Sequence, residues 1–308
     1  VGGAEAAVLL NQGQGLFGPY TSYPMAAWEI ECADVDGDDA VDLVVGQDAA
    51  LELLLNDGAG AFASGASLAV GGTVQSVVAS DLDGDGNLDL VSADQSTDSV
   101  SVLRNLGAGI FAPRVVFAAG SSPWCVVSGD LDRDGDPDLA VACQGTGSLR
   151  LLRNNGTGSF PGGPTVGGLT GPGNLVCVDL DRDADLDLAV TCISAGQVYL
   201  LENPGGGLGA FGAVSTVALG GNAAGSDIVA SDLDRDGLPE LVLPLPTRNT
   251  VLLLRGDGTF APTFRTRHGV GLAPTEAVAR DLDGDGDADL LTLDYWSASV
   301  TLLANGCR

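Results

Sequence analysis

The acidic run DVDGDDAVDL that begins at Asp34 returns five times, as DLDGDGNLDL at Asp81, DLDRDGDPDL at Asp130, DLDRDADLDL at Asp179, DLDRDGLPEL at Asp232 and DLDGDGDADL at Asp281. Successive starting points lie 47, 49, 49, 53 and 49 residues apart. A second marker, a phenylalanine behind a Gly-rich turn, keeps the same step at Phe17, Phe62, Phe111, Phe160, Phe211 and Phe260. A period of this length belongs to stacked supersecondary units or propeller blades. The fold must therefore use one unit six times.

Within a unit, VQSVVAS precedes the acidic loop, and LDLVSA, SVSVLRN, a Gly turn and IFAPRVVF follow it. Short runs rich in Val and Leu, bounded by Gly, Asn and Asp, read as four strands, and no sustained 3.6-residue period argues for a helix. The fold class expected is all-β, a propeller of four-stranded antiparallel blades occupying residues 1–308 as one domain. A two-sheet sandwich would give no reason for an acidic loop at every repeat.

These residues resemble the FG-GAP or VCBS repeat family, the propellers of integrin alpha chains and many secreted bacterial proteins. The likeness covers essentially the whole chain. It is strongest in the acidic loops, while the FG and GAP elements survive only in part, as LFGPY at Leu16 to Tyr20 and IFAPR at Ile110 to Arg114. The resemblance implies a propeller in which the acidic loop joins the innermost strand to the second and binds calcium.

The loop chemistry reads the same way. Calcium takes six to eight oxygen ligands, and alternate residues of a tight loop turn successive carboxylates onto one ion. Positions one, three, five and nine supply Asp34, Asp36, Asp38 and Asp42 in residues 34–42, and Asp81, Asp83, Asp85 and Asp89 in residues 81–89. The carbonyl of Asn87 would add a fifth ligand to the second set, with Gly84 and Gly86 permitting the tight backbone. The other sets are Asp130, Asp132, Asp134 and Asp138; Asp179, Asp181, Asp183 and Asp187; Asp232, Asp234, Asp236 and Glu240; and Asp281, Asp283, Asp285 and Asp289. About one Ca²⁺ per loop is expected. An EF-hand would need a carboxylate at position twelve between helices, and that position holds Val45, Ser92, Val141, Val190, Leu243 or Thr292. Hard carboxylate sites of this kind suit calcium over zinc, and magnesium tolerates crowded protein cages poorly.

Of 41 acidic residues, 28 lie in positions one to nine of these loops, and the remaining 13 match the 13 basic residues, all arginine. The net charge of -28 is thus loop charge, and six calcium ions would bring it to -16. Nucleic acid and anionic membrane surfaces are poor partners for such a chain. No apolar run approaches the roughly 18 residues that span a bilayer, and Val1 opens on repeat-like sequence without a basic, hydrophobic leader.

The ends are less regular. The third-strand pattern occurs seven times, as AVLLNQG, ELLLNDG, SVLRNLG, RLLRNNG, YLLENPG, VLLLRGDG and TLLANG, so residues 1–20 carry a spare third and fourth strand. Six blades are expected, with residues near Phe17 adding the outer strand to the blade around Asp281. The alternatives are seven blades, one of them incomplete, or spare strands completing the open blade of a second molecule, a head-to-tail contact that could build a fibre. Cysteines allow cross-strand pairs Cys125 with Cys143 and Cys177 with Cys192, and Cys32 with Cys307 to tie the ends, or else buried thiols.

No HExxH, nucleophile elbow or phosphate loop is present, and the single histidine, His268, reads as a solvated side chain in a connection. Trp28 and Trp124 each sit six residues before an acidic loop, and Tyr295 and Trp296 lie in the hairpin after a second strand. Both places fall opposite the acidic loops, on the face that carries ligands in the integrin-like family, and aromatics there suit sugar or protein recognition. The function expected is an extracellular or cell-surface calcium-binding module for adhesion, binding or structure. It would be non-catalytic, with a protein or glycan ligand and self-association through the terminal strands as partner classes. A self-assembling extracellular fibre subunit and a polysaccharide lyase are the alternatives.

Overall fold

A computed structural model describes residues 5–13, 16–25, 27–208, 211, 214–219, 227–258, 260 and 264–305. The fold is all-β, a propeller of antiparallel blades. Helical structure among the described residues is limited to three short 3₁₀ turns in hairpins. Two strands at the start, β1 (Glu5–Val8) and β2 (Thr21–Pro24), pair with each other. The blades follow in chain order. The first is β3 (Glu29–Ala33), β4 (Asp42–Gly46), β5 (Ala50–Asn56) and β6 (Phe62–Ala69). The second is β7 (Val74–Ser80), β8 (Asp89–Asp94), β9 (Ser99–Leu103) and β10 (Val115–Ala118). The third is β11 (Pro123–Gly129), β12 (Asp138–Cys143), β13 (Ser148–Leu152) and β14 (Thr165–Gly167). The fourth is β15 (Pro172–Val178), β16 (Asp187–Cys192), β17 (Gln197–Leu201) and β18 (Val214–Ala218). The fifth is β19 (Val229–Ser231), β20 (Glu240–Leu245), β21 (Thr250–Arg255) and β22 (Phe264–Gly269). The sixth has three described strands, β23 (Pro274–Arg280), β24 (Asp289–Asp294) and β25 (Ser299–Leu303).

Two compact units are formed, Val1–Val8 with Tyr20–Gly168, and Leu9–Pro19 with Leu169–Arg308. In the first, blades one to three stack face to face. Leu82, Val91, Val100, Val102, Leu139, Leu152 and Phe160 make one core between the second and third blades. In the second, Leu180, Leu200, Leu241, Leu254 and Phe260 do the same between the fourth and fifth. Each second strand lies inside such a stack, so β8, β12, β16 and β20 are buried on both faces and read as continuous apolar runs in place of an alternating pattern. Position twelve of every loop falls inside a second strand, as the EF-hand comparison requires.

The ends depart from expectation in two ways. Phe17 enters no sheet with β25; it bridges Asn11, and β1 takes β2 as its partner. Within the first unit β2 packs on the first blade through the Tyr23 and Phe62 rings, 5.9 Å apart and edge to face. Within the second unit Asn11 Nδ2 donates to Leu282 O at 2.8 Å. That repeats the bonds of Asn105 to Val35 O and Asn154 to Leu82 O, by which each third strand reaches back to the preceding loop. The cysteine pairs also fail to meet in register: Cys125 stands opposite Ala142, and beyond a bulge Cys143 stands opposite Pro123. Cys192 stands opposite Pro172 and Cys177 opposite Leu188. Cys307 lies outside the described residues. His268 belongs to β22, opposite Val251, and is exposed.

Candidate metal centre

Each acidic loop folds around its first aspartate. Asp81 Oδ1 accepts the amide of Gly84 at 2.9 Å and Oδ2 that of Gly86 at 3.0 Å. Asp34, Asp179 and Asp281 bind the amides of positions four and six in the same way. Directing two amides at one carboxylate requires left-handed backbone at positions four and six, where φ is positive in all six loops. Glycine adopts this freely, whereas Asp39, Arg133, Arg182, Ala184 and Arg235 adopt it at a cost of about 1–2 kcal/mol each. Strain tolerated at one geometric place in four of the six loops marks that place as functional.

Position nine has a different role. Asp89 is fully buried; its Oδ2 accepts Leu82 N at 3.2 Å and its Oδ1 accepts Asn105 N at 2.7 Å. It ties the loop to the end of the third strand, as do Asp42, Asp187 and Asp289. At position five, Oδ1 of Asp38, Asp85, Asp134, Asp183, Asp236 or Asp285 receives the amide two residues on. In the second loop Asn87 also turns its side-chain amide onto Asp85 Oδ1.

In the first three loops position three is left unsatisfied, whereas in the other three Oδ1 of Asp181, Asp234 or Asp283 accepts the position-five amide. Asp36, Asp83 and Asp132 each hold Oδ1 buried and accepting no hydrogen bond. The carboxylates around it converge, with ligand atoms within 4.8 Å of one another in the sets Asp34, Asp36 and Asp42; Asp81, Asp83 and Asp85; Asp130, Asp132 and Asp138; Asp179, Asp181 and Asp187; and Asp232, Asp234 and Glu240. Burial, then the neighbouring carboxylates, raise the pKa of Asp36, Asp132 and Asp181. Burial would also raise that of Asp34, but the converging amides of the loop outweigh it and lower it. A buried acceptor with no donor, among like charges, fits a hard cation.

The loops are not electrostatically alike. Arg104 pairs with Asp83 at 3.0 Å, and Arg153 with Asp132 at 2.8 Å and Asp134 at 2.9 Å. In the fifth loop Arg255 contacts Asp234, lies 2.9 Å from Asp236 and sits 3.7 Å from Glu240. Arg182 adds a second contact to Asp236. In the fourth loop the equivalent third-strand residue is Glu202, whose charge joins those raising Asp181. Residue types alone carry this signal only once the third strand is known to end over the loop.

Desolvation also makes position nine responsive to pH in metal-free protein. Burial pushes the Asp89 carboxyl up to about 6, and those of Asp138 and Asp187 up to about 7. Each is an acid with a folded pKa above its unfolded value, so its stabilising contribution is complete below about 4 and is lost as pH rises through 6 to 7. In chelator the melting temperature is expected to rise as pH falls from 8 to 5.5. Calcium should reverse the slope, because protons then compete with the ion.

The FG-GAP-like repeat model matches residues 34–92, 81–141, 130–190, 179–243 and 244–292, and so spans most of the chain. The chain belongs to the FG-GAP-like repeat family. Four of the five matched segments of this FG-GAP protein open on an acidic loop and all five end in a second strand, so loop and strand form the family's unit. No curated protein matches it. Solved structures share its fold at low identity. An Agrocybe aegerita lectin that recognises non-reducing terminal N-acetylglucosamine is 20% identical with TM-score 0.59, covering 91% of this chain and 80% of its own. A candidate 6-phosphogluconolactonase from Bacteroides uniformis is 16% identical with TM-score 0.71, covering 94% and 84%. BBS1N, solved in complex with ARL6DN, is 11% identical with TM-score 0.64, covering 95% and 82%.

The aromatic positions lie at the sheet ends away from the acidic loops. Trp28 is 66% exposed before β3, and Tyr295 and Trp296 are 74% and 76% exposed in the turn between β24 and β25. Trp124, in β11, is half-buried. Among the described residues no helix is long and apolar enough to cross a membrane.

Proposed function

We propose that this FG-GAP protein is an exported, calcium-stabilised binding module with glycans or extracellular proteins as ligands and no turnover of its own. The buried, donorless Oδ1 of Asp36, Asp83 and Asp132 carries the metal half of this reading. Carboxylates at positions one, three, five and nine would hold calcium, with the position-seven carbonyl as a further oxygen. The ion's chemistry there is charge neutralisation, and the chain's own amides pre-shape the loop around Asp34, Asp81 and their equivalents. The exposed Trp28, Tyr295 and Trp296 support the binding half, since exposed aromatic rings are suited to sugars and peptide surfaces.

Native mass spectrometry during a chelator titration tests the metal sites directly. Several calcium ions are expected, with Asp132→Asn removing one. The fifth loop, where the Arg255 charge already lies against three carboxylates, should empty first. A mass equal to that of the bare chain in millimolar calcium would sink the metal assignment. Growth of ultraviolet absorbance on incubation with an acidic polysaccharide would overturn the non-catalytic reading.

A further inference from the structure

The six acidic loops share their carboxylates but not their counter-charges. Two places can bring an arginine to a loop: the residue that closes the third strand of its blade, and position four of the loop before it. At the first place stand Leu55, Arg104, Arg153, Glu202, Arg255 and Ala304, from the first loop to the sixth. At the second stand Gly37, Gly84, Arg133, Arg182 and Arg235, ahead of the second to the sixth loop. Only the fifth loop has an arginine at both.

Both arginines reach their target. Arg255, at the end of β21, sets its guanidinium against Asp234, 2.9 Å from Asp236 and 3.7 Å from Glu240. Arg182 crosses from the fourth blade: its Nη2 donates to Asp236 O and lies 3.3 Å from Asp236 Oδ1, and its Nε lies 3.5 Å from Gly237 O. Asp234 Oδ1, whose counterparts in Asp36, Asp83 and Asp132 accept no hydrogen bond, takes the Asp236 amide at 3.2 Å. Arg182 holds a φ of 69°, where the first, second and sixth loops use glycine, and the bonds to the next blade offset that cost. The same strap recurs one loop on, where Arg235 Nε lies 2.6 Å from Asp287 Oδ1. There it meets position seven, whose side chain is not among the expected ligands, and Ala304 brings no charge. In the fifth loop the strap lands on position five, whose carboxylate is one of them.

We infer that Arg182 and Arg255 hold the fifth loop in place of an ion, so that it binds calcium at least tenfold more weakly than the sixth. The inference rests on the calcium reading above and names the residues that decide which loop goes without. Two guanidinium groups carry the charge of one Ca²⁺, and a cation set among these carboxylates would meet both within a few Å, a range that salt does not screen. The two side chains are 49% and 44% exposed, so each ion pair adds little to folding stability. What they alter is competition with the ion. Calcium can enter only by displacing Arg182 from Asp236, which also undoes the bond between the fourth and fifth blades. That joint is therefore made by side chains, and calcium is not needed to close it.

Native mass spectrometry of the full chain over a series of buffered free-calcium concentrations tests this. One ion is expected to load last, at least tenfold above the ion of the sixth loop. Asp234→Asn should remove that last ion and Asp283→Asn an earlier one. The double variant Arg182→Gly with Arg255→Ala gives the two places residue types that other loops already use, as at Gly84 and Ala304. In it the last ion should load together with that of the sixth loop, a gain of affinity that misfolding cannot produce. Loss of an early ion in Asp234→Asn, or an unchanged loading order in the double variant, overturns the inference. All ions loading together in the unaltered chain overturns it while leaving the calcium reading in place. No ion on any loop at millimolar calcium overturns both.

Discussion

Removing calcium is expected to lower the melting temperature by about 15–25 °C. A ligand at a hundred times its dissociation constant stabilises by about 2.7 kcal/mol per site, and for a chain of this size each kcal/mol moves the midpoint by about 2 °C. Filling four or five loops therefore reaches this range. The converse is electrostatic. Carboxylates within 4.8 Å of one another repel by roughly 3–4 kcal/mol per pair at an effective dielectric of 20, and only some loops hold an arginine in place. Differential scanning fluorimetry in calcium and in chelator, at matched ionic strength, checks the shift. A shift under about 3 °C would mean that the loops fold without an ion.

Asp89→Ala is expected to cost about 3–5 kcal/mol in chelator, about 6–10 °C, and one site's stabilisation more in calcium. The substitution leaves the buried amides of Leu82 and Asn105 without an acceptor, at about 1–3 kcal/mol each, and opens a cavity. Asp83→Asn in the same loop separates anchoring from metal binding. Asp83 Oδ1 has no donor to lose and Oδ2 gives up only the ion pair with the half-exposed Arg104, so in chelator the substitution should leave the melting temperature within about 2 °C. In calcium it should remove one site's stabilisation. Equal behaviour of the two variants in chelator would show that position nine does not anchor the loop. Chemical denaturation in both buffers gives the comparison.

Much of this was legible in the order of residues, for reasons that can be named. The acidic loop is a local object: position one collects the amides of positions four and six across a few bonds, so its register with the following strand can be read from spacing alone. Runs of Val and Leu bounded by Gly, Asn and Asp likewise placed the strands of each blade, while the burial of second strands such as DLAVAC on both faces emerged from the stacking of the blades. The seventh third-strand copy at AVLLNQG was visible too, and it does form a strand. Its partner was not visible, since β2 and an outer strand added to β25 satisfy the same pattern.

Wherever two segments distant in sequence must meet, spacing was silent. The register of the third blade sets Cys125 opposite Ala142 and Cys143 opposite Pro123, and register of that kind depends on packing and not on composition. Arg255 over the fifth loop and Glu202 near the fourth carry opposite charge at one repeat position, yet their effect exists only because the third strand ends above the carboxylates. Sequence alone determined the repeat, its strands and the acidic loops, because those rest on contacts a few residues apart. Tertiary structure decided which strands pair and which loops an arginine meets, because those depend on neighbours that chain order does not bring together.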